Sequence, residues 1–250
     1  FDVALNDFYY SFPVGERLDV IVAANSIITD DYVTSTISPF DGPSVSDPGG
    51  PALYDAGVGS SGFGVGFNFA ITDNIVLDAG YTSGDSTANV AASNNTNLGG
   101  IFGAEDQASI VQLNYLTDGI FNGALVYINA TDSGTTVDTY GGLISLDFGR
   151  FIIGGAFAQH DANNGTDDTT WQAGIAFPDL FIEGSQLGVF YADEFDLIAG
   201  LNPYVIEGYY EVPVSQYLTI TPALIYGDLD TAGGGDSDNF YGAIRATFSF

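Results

Sequence analysis

Residues 238–250 alternate between apolar and small or polar side chains. Phe240, Ile244, Ala246, Phe248 and Phe250 fall on one side; Tyr241, Ala243, Arg245, Thr247 and Ser249 fall on the other. A period of two marks a β-strand with unlike faces, and here the pattern recurs along the chain. Segment 216–226 sets Leu218, Ile220, Pro222, Leu224 and Tyr226 against Thr219, Thr221 and Ala223. Segment 62–70 sets Phe63, Val65, Phe67 and Phe69 against Gly64, Gly66 and Asn68, and 75–83 sets Ile75, Leu77, Ala79 and Tyr81 against Val76, Asp78, Gly80 and Thr82. One face is apolar enough for lipid. A soluble sandwich would turn bulky apolar residues to a core, so the small or polar face predicts a wet interior instead.

Thirteen such segments can be read, near 2–12, 17–26, 62–70, 75–83, 107–116, 120–131, 139–149, 151–160, 169–178, 186–194, 203–213, 216–226 and 238–250. Their length suits a tilted membrane strand, and no apolar run reaches the ~18 residues of a spanning helix. The connections alternate in length. Residues 13–16, 71–74, 117–119, 149–150, 179–185 and 213–215 are short; 27–61, 84–106, 132–138, 161–168, 195–202 and 227–237 are long. Short turns on one side of a membrane and long loops on the other are what an up-and-down barrel produces. The predicted fold class is therefore all-β, a transmembrane antiparallel up-and-down β-barrel. Aromatics crowd the strand ends (Tyr81, Tyr115, Phe148, Phe177, Tyr191, Tyr226), as interfacial girdles require.

The formal net charge is −29, with 32 acids against three arginines (Arg17, Arg150, Arg245) and no lysine. Such a surface repels phosphates, which excludes nucleic acid as a partner and disfavours direct contact with anionic lipid. The absence of cysteine removes disulfides, thiolate metal sites and thiol catalysis together. Phe1–Leu5 already reads as strand, so the chain is expected to begin partway through a longer protein.

The last strand, stopping on an aromatic, resembles the closing strand of bacterial outer-membrane barrels. Three stretches are similar to cyanobacterial outer-membrane porins that carry an amino-terminal S-layer-homology domain, a group described as iron-uptake or carbohydrate-selective (OprB-like) porins. They are Leu5–Leu18 followed by Val20–Asn25; Phe63–Asn68 with Ile75–Leu77; and Gly242–Phe250. The resemblance implies an outer-membrane location, about sixteen strands in the whole protein and a homotrimer. It also implies a periplasmic wall-binding domain outside residues 1–250. With the short turns periplasmic, the first and last segments run the same way, so an odd number of strands is expected to be missing. One missing strand would give fourteen and three would give sixteen; three would put loop 27–61 between strands five and six, where trimeric porins fold a constriction loop.

By alternation Asp7, Asp19, Asp78, Asp147, Glu207 and Glu211 point inward, with Arg245 as the basic wall residue. Carboxylates around a wet channel favour cations, although inward polar groups can equally be mere solvation. Loop 27–61 carries Asp30, Asp31, Asp41, Asp47 and Asp55 among Pro, Gly and Ser. A structureless loop of that length is usually functional; folded inward it would narrow the pore, and outside it would be a lid. No resident cofactor is expected. Acidic stretches 161–168 and 227–238 offer oxygen ligands for Ca²⁺ and for cation bridges to lipopolysaccharide, but lack EF-hand spacing. Two other readings stand beside the channel: a barrel hydrolase built on His160, the sole histidine, and a soluble acidic calcium-binding β-protein.

Overall fold

The computed structural model describes residues 8–25, 29–34, 37–56, 63–83, 106–132, 134–196, 203–228 and 238–249. Asp7 and Phe250, and most of loops 84–106 and 227–238, lie outside the described residues. Among the described residues thirteen strands form one sheet in sequence order, each antiparallel to the next. They are β1 (Phe8–Val14), β2 (Leu18–Asn25), β3 (Gly64–Ala70), β4 (Ile75–Ser83), β5 (Gln107–Tyr115), β6 (Phe121–Asp132) and β7 (Thr135–Asp147). β8 (Ile152–Ala162), β9 (Asp167–Pro178), β10 (Gln186–Asp193), β11 (Tyr204–Ser215), β12 (Leu218–Asp228) and β13 (Asn239–Phe248) complete it. The fold is thus the all-β, antiparallel up-and-down architecture read from the alternation.

Two connections are shorter than their polarity suggests. β7 begins at Thr135, so β6 and β7 meet in a two-residue hairpin with Gly134 at φ 87°. β8 and β9 extend to Ala162 and from Asp167 around Gly165 at φ 81°. Glycine takes this left-handed backbone freely, and such turns match the twist of paired strands. The acids of 132–138 and 161–168 fall largely on strand ends, because ladder bonds and Gly turns outweigh a local surplus of polar side chains.

Cross-strand register confirms the two faces. Asp19 pairs with Asn68, Asn68 with Asp78, Asp78 with Gln112 and Gln112 with Val126, one row on the inner wall. The outer face exposes Leu125, Ile144, Ile153, Phe157, Val189, Leu224 and Ile244. Aromatic rows border this belt at both levels. Trp171 stacks on Tyr191 at 4.3 Å and Tyr191 on Tyr204 at 5.7 Å near one rim; Phe148 stacks on Phe151 at 4.9 Å near the other. An exposed apolar belt bounded by aromatics is the surface a bilayer solvates.

The interior departs from the expected wet lumen. Two apolar clusters lie inside, one joining Tyr32, Leu53 and Tyr54 to Ile110, Ile128 and Leu143, the other joining Phe40 to Phe190, Val205 and Tyr209. Both are made by residues of 27–61 packed on the inner wall. The small inward residues that suggested water are in part space for this loop.

Candidate functional site

The loop is divided by polarity. Short 3-10 turns at Asp30–Tyr32, Asp47–Gly49 and Ala52–Tyr54 bury Tyr32, Pro48, Leu53 and Tyr54. Phe40 and Ile37 are also buried. Its exposed described side chains are Asp31, Thr34, Asp41, Asp47 and Asp55, with Asp30 half-buried. Apolar groups seek the wall because burying a large side chain stabilises by ~1.5–3 kcal/mol. The carboxylates stay where water can solvate them.

Glycines in the wall make the fit. A β-carbon at Gly66 or Gly80 would meet the Tyr32 ring at 2.3 or 2.2 Å. One at Gly154 would meet Pro39 at 2.3 Å, and one at Gly174 would meet Phe40 at 2.6 Å. Only a residue without a β-carbon admits such close approach.

Polar anchors complete it. Asp78 is wholly buried and accepts hydrogen bonds from the Thr34 amide (2.7 Å), the Thr34 hydroxyl (2.7 Å), Asn68 (2.8 Å) and Asn114 (2.7 Å). The network continues through Gln112, which donates to Asn114 at 2.7 Å and accepts from the Tyr54 hydroxyl at 2.6 Å. Burial pushes the Tyr54 phenol above its ordinary range, which keeps it a neutral donor. Glu207, also wholly buried, accepts from the amides of Val45 (2.7 Å) and Ser46 (2.9 Å) and from the Ser46 hydroxyl. Gln172 donates to the carbonyls of Pro48 (2.7 Å) and Gly49 (2.9 Å), and Gln186 to that of Pro39 (2.7 Å). Arg245 donates to the carbonyls of Gly42 and Pro43 and stands 3.9 Å from Glu211.

The inward acids of the sequence reading therefore separate. Asp78 and Glu207 face inward but bind loop backbone rather than line a water column; a buried carboxylate needs such donors to stay charged. Glu211 and Arg245 meet beside the loop. Asp19 lies on the inner wall beside Asn68 and is exposed. Asp147 sits at the turn end of β7, where it accepts from the Gly149 amide at 2.7 Å. The amides Gln112, Asn114, Gln172 and Gln186 were not picked out from the sequence, and Asn68 was read only as part of the polar face. Their signal was available: each is a hydrogen-bonding side chain at an inward position of a period-2 strand.

The exposed loop acids form one electrostatic unit. Partial burial, then the charges of Asp31, Asp41 and Asp47, push Asp30 up to about 6. Asp55 rises to about 7, chiefly by desolvation and then through Asp47, Glu194 and Asp30. Glu194, just past β10, is raised by burial and by Asp47.

His160 has no part in this surface. It is wholly buried, its Nδ1 2.8 Å from Thr139 Oγ1 and its Nε2 2.9 Å from Thr170 Oγ1, with Phe195 packed at 4.6 Å. Both ring nitrogens are engaged, so the imidazole has no site left for a substrate proton. In acidic stretch 161–168, Asp161 and Asp167 face each other outward across β8 and β9. Asp168 is spent on the amides of Thr169 and Asp196. Residues 229–237 lie outside the described residues.

No family model matches the chain. It is 26% identical over 196 residues to an uncharacterized protein of Nostoc sp. (strain PCC 7120), covering 73% of this chain and 31% of that protein. Among solved structures it superposes on Pseudomonas putida OprB with a TM-score of 0.64 and 14% identity, over 95% of this chain and 70% of that one. For the trimer form of Vibrio cholerae OmpT, an outer membrane protein, the TM-score is 0.52 at 14% identity, over 92% and 79%. The shared fold, together with the apolar outer belt, makes this an outer-membrane β-barrel.

Proposed function

We propose that the chain belongs to the barrel of an outer-membrane porin, a water-filled channel through which small hydrophilic solutes and ions diffuse passively, with cations favoured. One observation carries the reading: a loop seated inside a barrel, its apolar side on the wall and Asp31, Asp41, Asp47 and Asp55 left on its free side. Residues 27–61 act as the constriction loop. Carboxylates along a narrow wet path concentrate cations and repel anions. No chemistry or energy input enters; width and charge select.

The wall requires more strands than these thirteen. β1 and β13 run in the same direction, are exposed on both faces and do not pair with each other among the described residues. Antiparallel closure between them needs an odd number of further strands. The chain spans 31% of the length of its Nostoc relative, which leaves room for those strands and for a periplasmic wall-binding domain. A homotrimer fits the OmpT trimer form and the sequence resemblance. Divalent cations at the acidic outer rim would bridge to lipopolysaccharide.

Reconstitution of the full-length protein in planar bilayers tests the channel. Stable open steps, with a reversal potential of the sign expected for cation preference, support it. Absence of any conductance from correctly folded protein overturns it.

A further inference from the structure

Asparagine followed by glycine occurs twice in the sequence, at Asn122–Gly123 and Asn164–Gly165. This dipeptide can close on itself. The asparagine carboxamide lies within reach of the next backbone nitrogen, and glycine has no β-carbon to obstruct the approach. The structure puts the two copies in opposite situations.

Asn164–Gly165 is the tip of the β8–β9 hairpin, on the rim of the long connections. Both residues are exposed, Gly165 has φ 81°, and a β-carbon built on it would meet nothing within 4 Å. Asn164 Oδ1 accepts from the Thr166 amide at 2.9 Å. A side-chain oxygen bonded to the amide two residues on folds the carboxamide across the intervening peptide. The Asn164 Cγ is thereby carried over the Gly165 nitrogen. One bond opposes reaction: the Gly165 amide donates to the Ala162 carbonyl at 3.0 Å. That bond closes an exposed turn at the end of a hairpin, where local opening costs least.

Asn122–Gly123, at the start of β6, is held apart. Asn122 Oδ1 accepts from the Thr117 amide at 2.6 Å, which draws the carboxamide back toward the preceding turn. Gly123 is buried, in register with Tyr115 of β5 on one side and Ile144 of β7 on the other. A β-carbon on it would stand 2.9 Å from the Phe121 ring. Reaction there requires the sheet to open on both sides, at a cost that approaches global unfolding.

We infer that Asn164 is a site of self-modification, at which the backbone closes on the side chain and turns the amide into a carboxylate. The Gly165 nitrogen gives its proton to water and bonds to Asn164 Cγ. The Cγ–Nδ2 bond breaks, ammonia leaves, and a cyclic imide remains. Water then opens the ring. Cleavage of the new N–Cγ bond leaves aspartate; cleavage of the bond from the residue 164 carbonyl carbon to nitrogen leaves isoaspartate, with the chain running through the side chain. Either product adds a negative charge to the hairpin on which Asp161 and Asp167 already face each other. The rim gains charge with time and without an enzyme. The inference rests on this hairpin alone and is independent of the channel reading.

Peptide mass spectrometry reads it directly. Full-length protein in phospholipid vesicles is incubated at alkaline pH in water enriched in heavy oxygen, then digested. The peptide holding residue 164 should show the amide-to-acid mass change with one heavy oxygen, and should divide into aspartate and isoaspartate forms. Asn122 should convert more slowly by about a hundredfold or more, and in denaturant the two should convert at similar rates. Equal conversion at 122 and 164 in the folded protein overturns the inference. So does an Asn164 that stays intact while the denatured chain converts, or a difference of the same size in denaturant, which sequence neighbours alone would then explain. Aspartate without isoaspartate also overturns it, because direct hydrolysis bypasses Gly165. Asn164→Gln, whose longer side chain does not form the same ring, should abolish the conversion.

Discussion

The ring of Tyr32 fills the space that a side chain at Gly80 would need: a β-carbon there would stand 2.2 Å from the ring's Cγ. Loop and wall are complementary at this point, and the contact is one-sided, since any larger residue at 80 must expel the ring. Gly80→Val is therefore expected to unseat the first third of the loop at a cost of ~1–3 kcal/mol, the range for overpacking. Larger and noisier single-channel conductance, together with faster proteolysis within 27–61, is the expected outcome. Gly142→Ala, on the outer face where a β-carbon meets nothing closer than 3.4 Å, should leave both unchanged.

Glu207→Ala would strand the amides of Val45 and Ser46, two half-buried donors that both bond its carboxyl group. Loss of each such bond costs ~1–3 kcal/mol. The central part of the loop should detach, seen as frequent conductance fluctuations and a lower denaturant midpoint. Glu207→Gln keeps one acceptor oxygen in place and should show a smaller change in the same direction.

Acidity should weaken the cation preference. Asp55 titrates at about 7 and Asp30 at about 6, so both lose charge as pH falls from 8 to 5. Because these values lie above the 3.8 of an ordinary Asp, the folded state binds more protons than the unfolded chain throughout that window. Stability then rises as pH falls, as repulsion within the loop is relieved. Reversal potentials across a salt gradient, measured between pH 8 and pH 5, should move toward zero while the thermal midpoint rises.

His160→Ala removes a buried ring and leaves Thr139 and Thr170 without their shared partner. A loss of ~2–5 kcal/mol is expected from the cavity and the stranded hydroxyls. Hydrolytic activity in this variant matching that of the parent would dispose of the hydrolase reading, and conductance should persist wherever the variant still folds.

Strand existence and facing were legible because period-2 alternation is local: each residue declares its face relative to its neighbours. Thr135 and Asp167 were misread as loop because polarity is a weaker signal than ladder hydrogen bonds and the Gly134 and Gly165 turns. The inward direction of Asp78 and Glu207 was legible, but their use was not. Whether a wall carboxylate meets water or a loop amide depends on contacts such as Glu207 to Val45, 162 residues apart. The same holds for Gly66, Gly80, Gly154 and Gly174. Alternation marks them as small and inward, and only the seated loop shows what the space is for.

The central claim is that the free side of the loop sets selectivity, and charge removal there tests it most directly. The full-length protein carrying Asp31→Asn, Asp41→Asn, Asp47→Asn and Asp55→Asn keeps the anchors Asp78 and Glu207 and the packing of Tyr32 and Phe40. Its reversal potential across a potassium chloride gradient should collapse toward zero while open steps persist. A reversal potential equal to that of the parent would contradict the account.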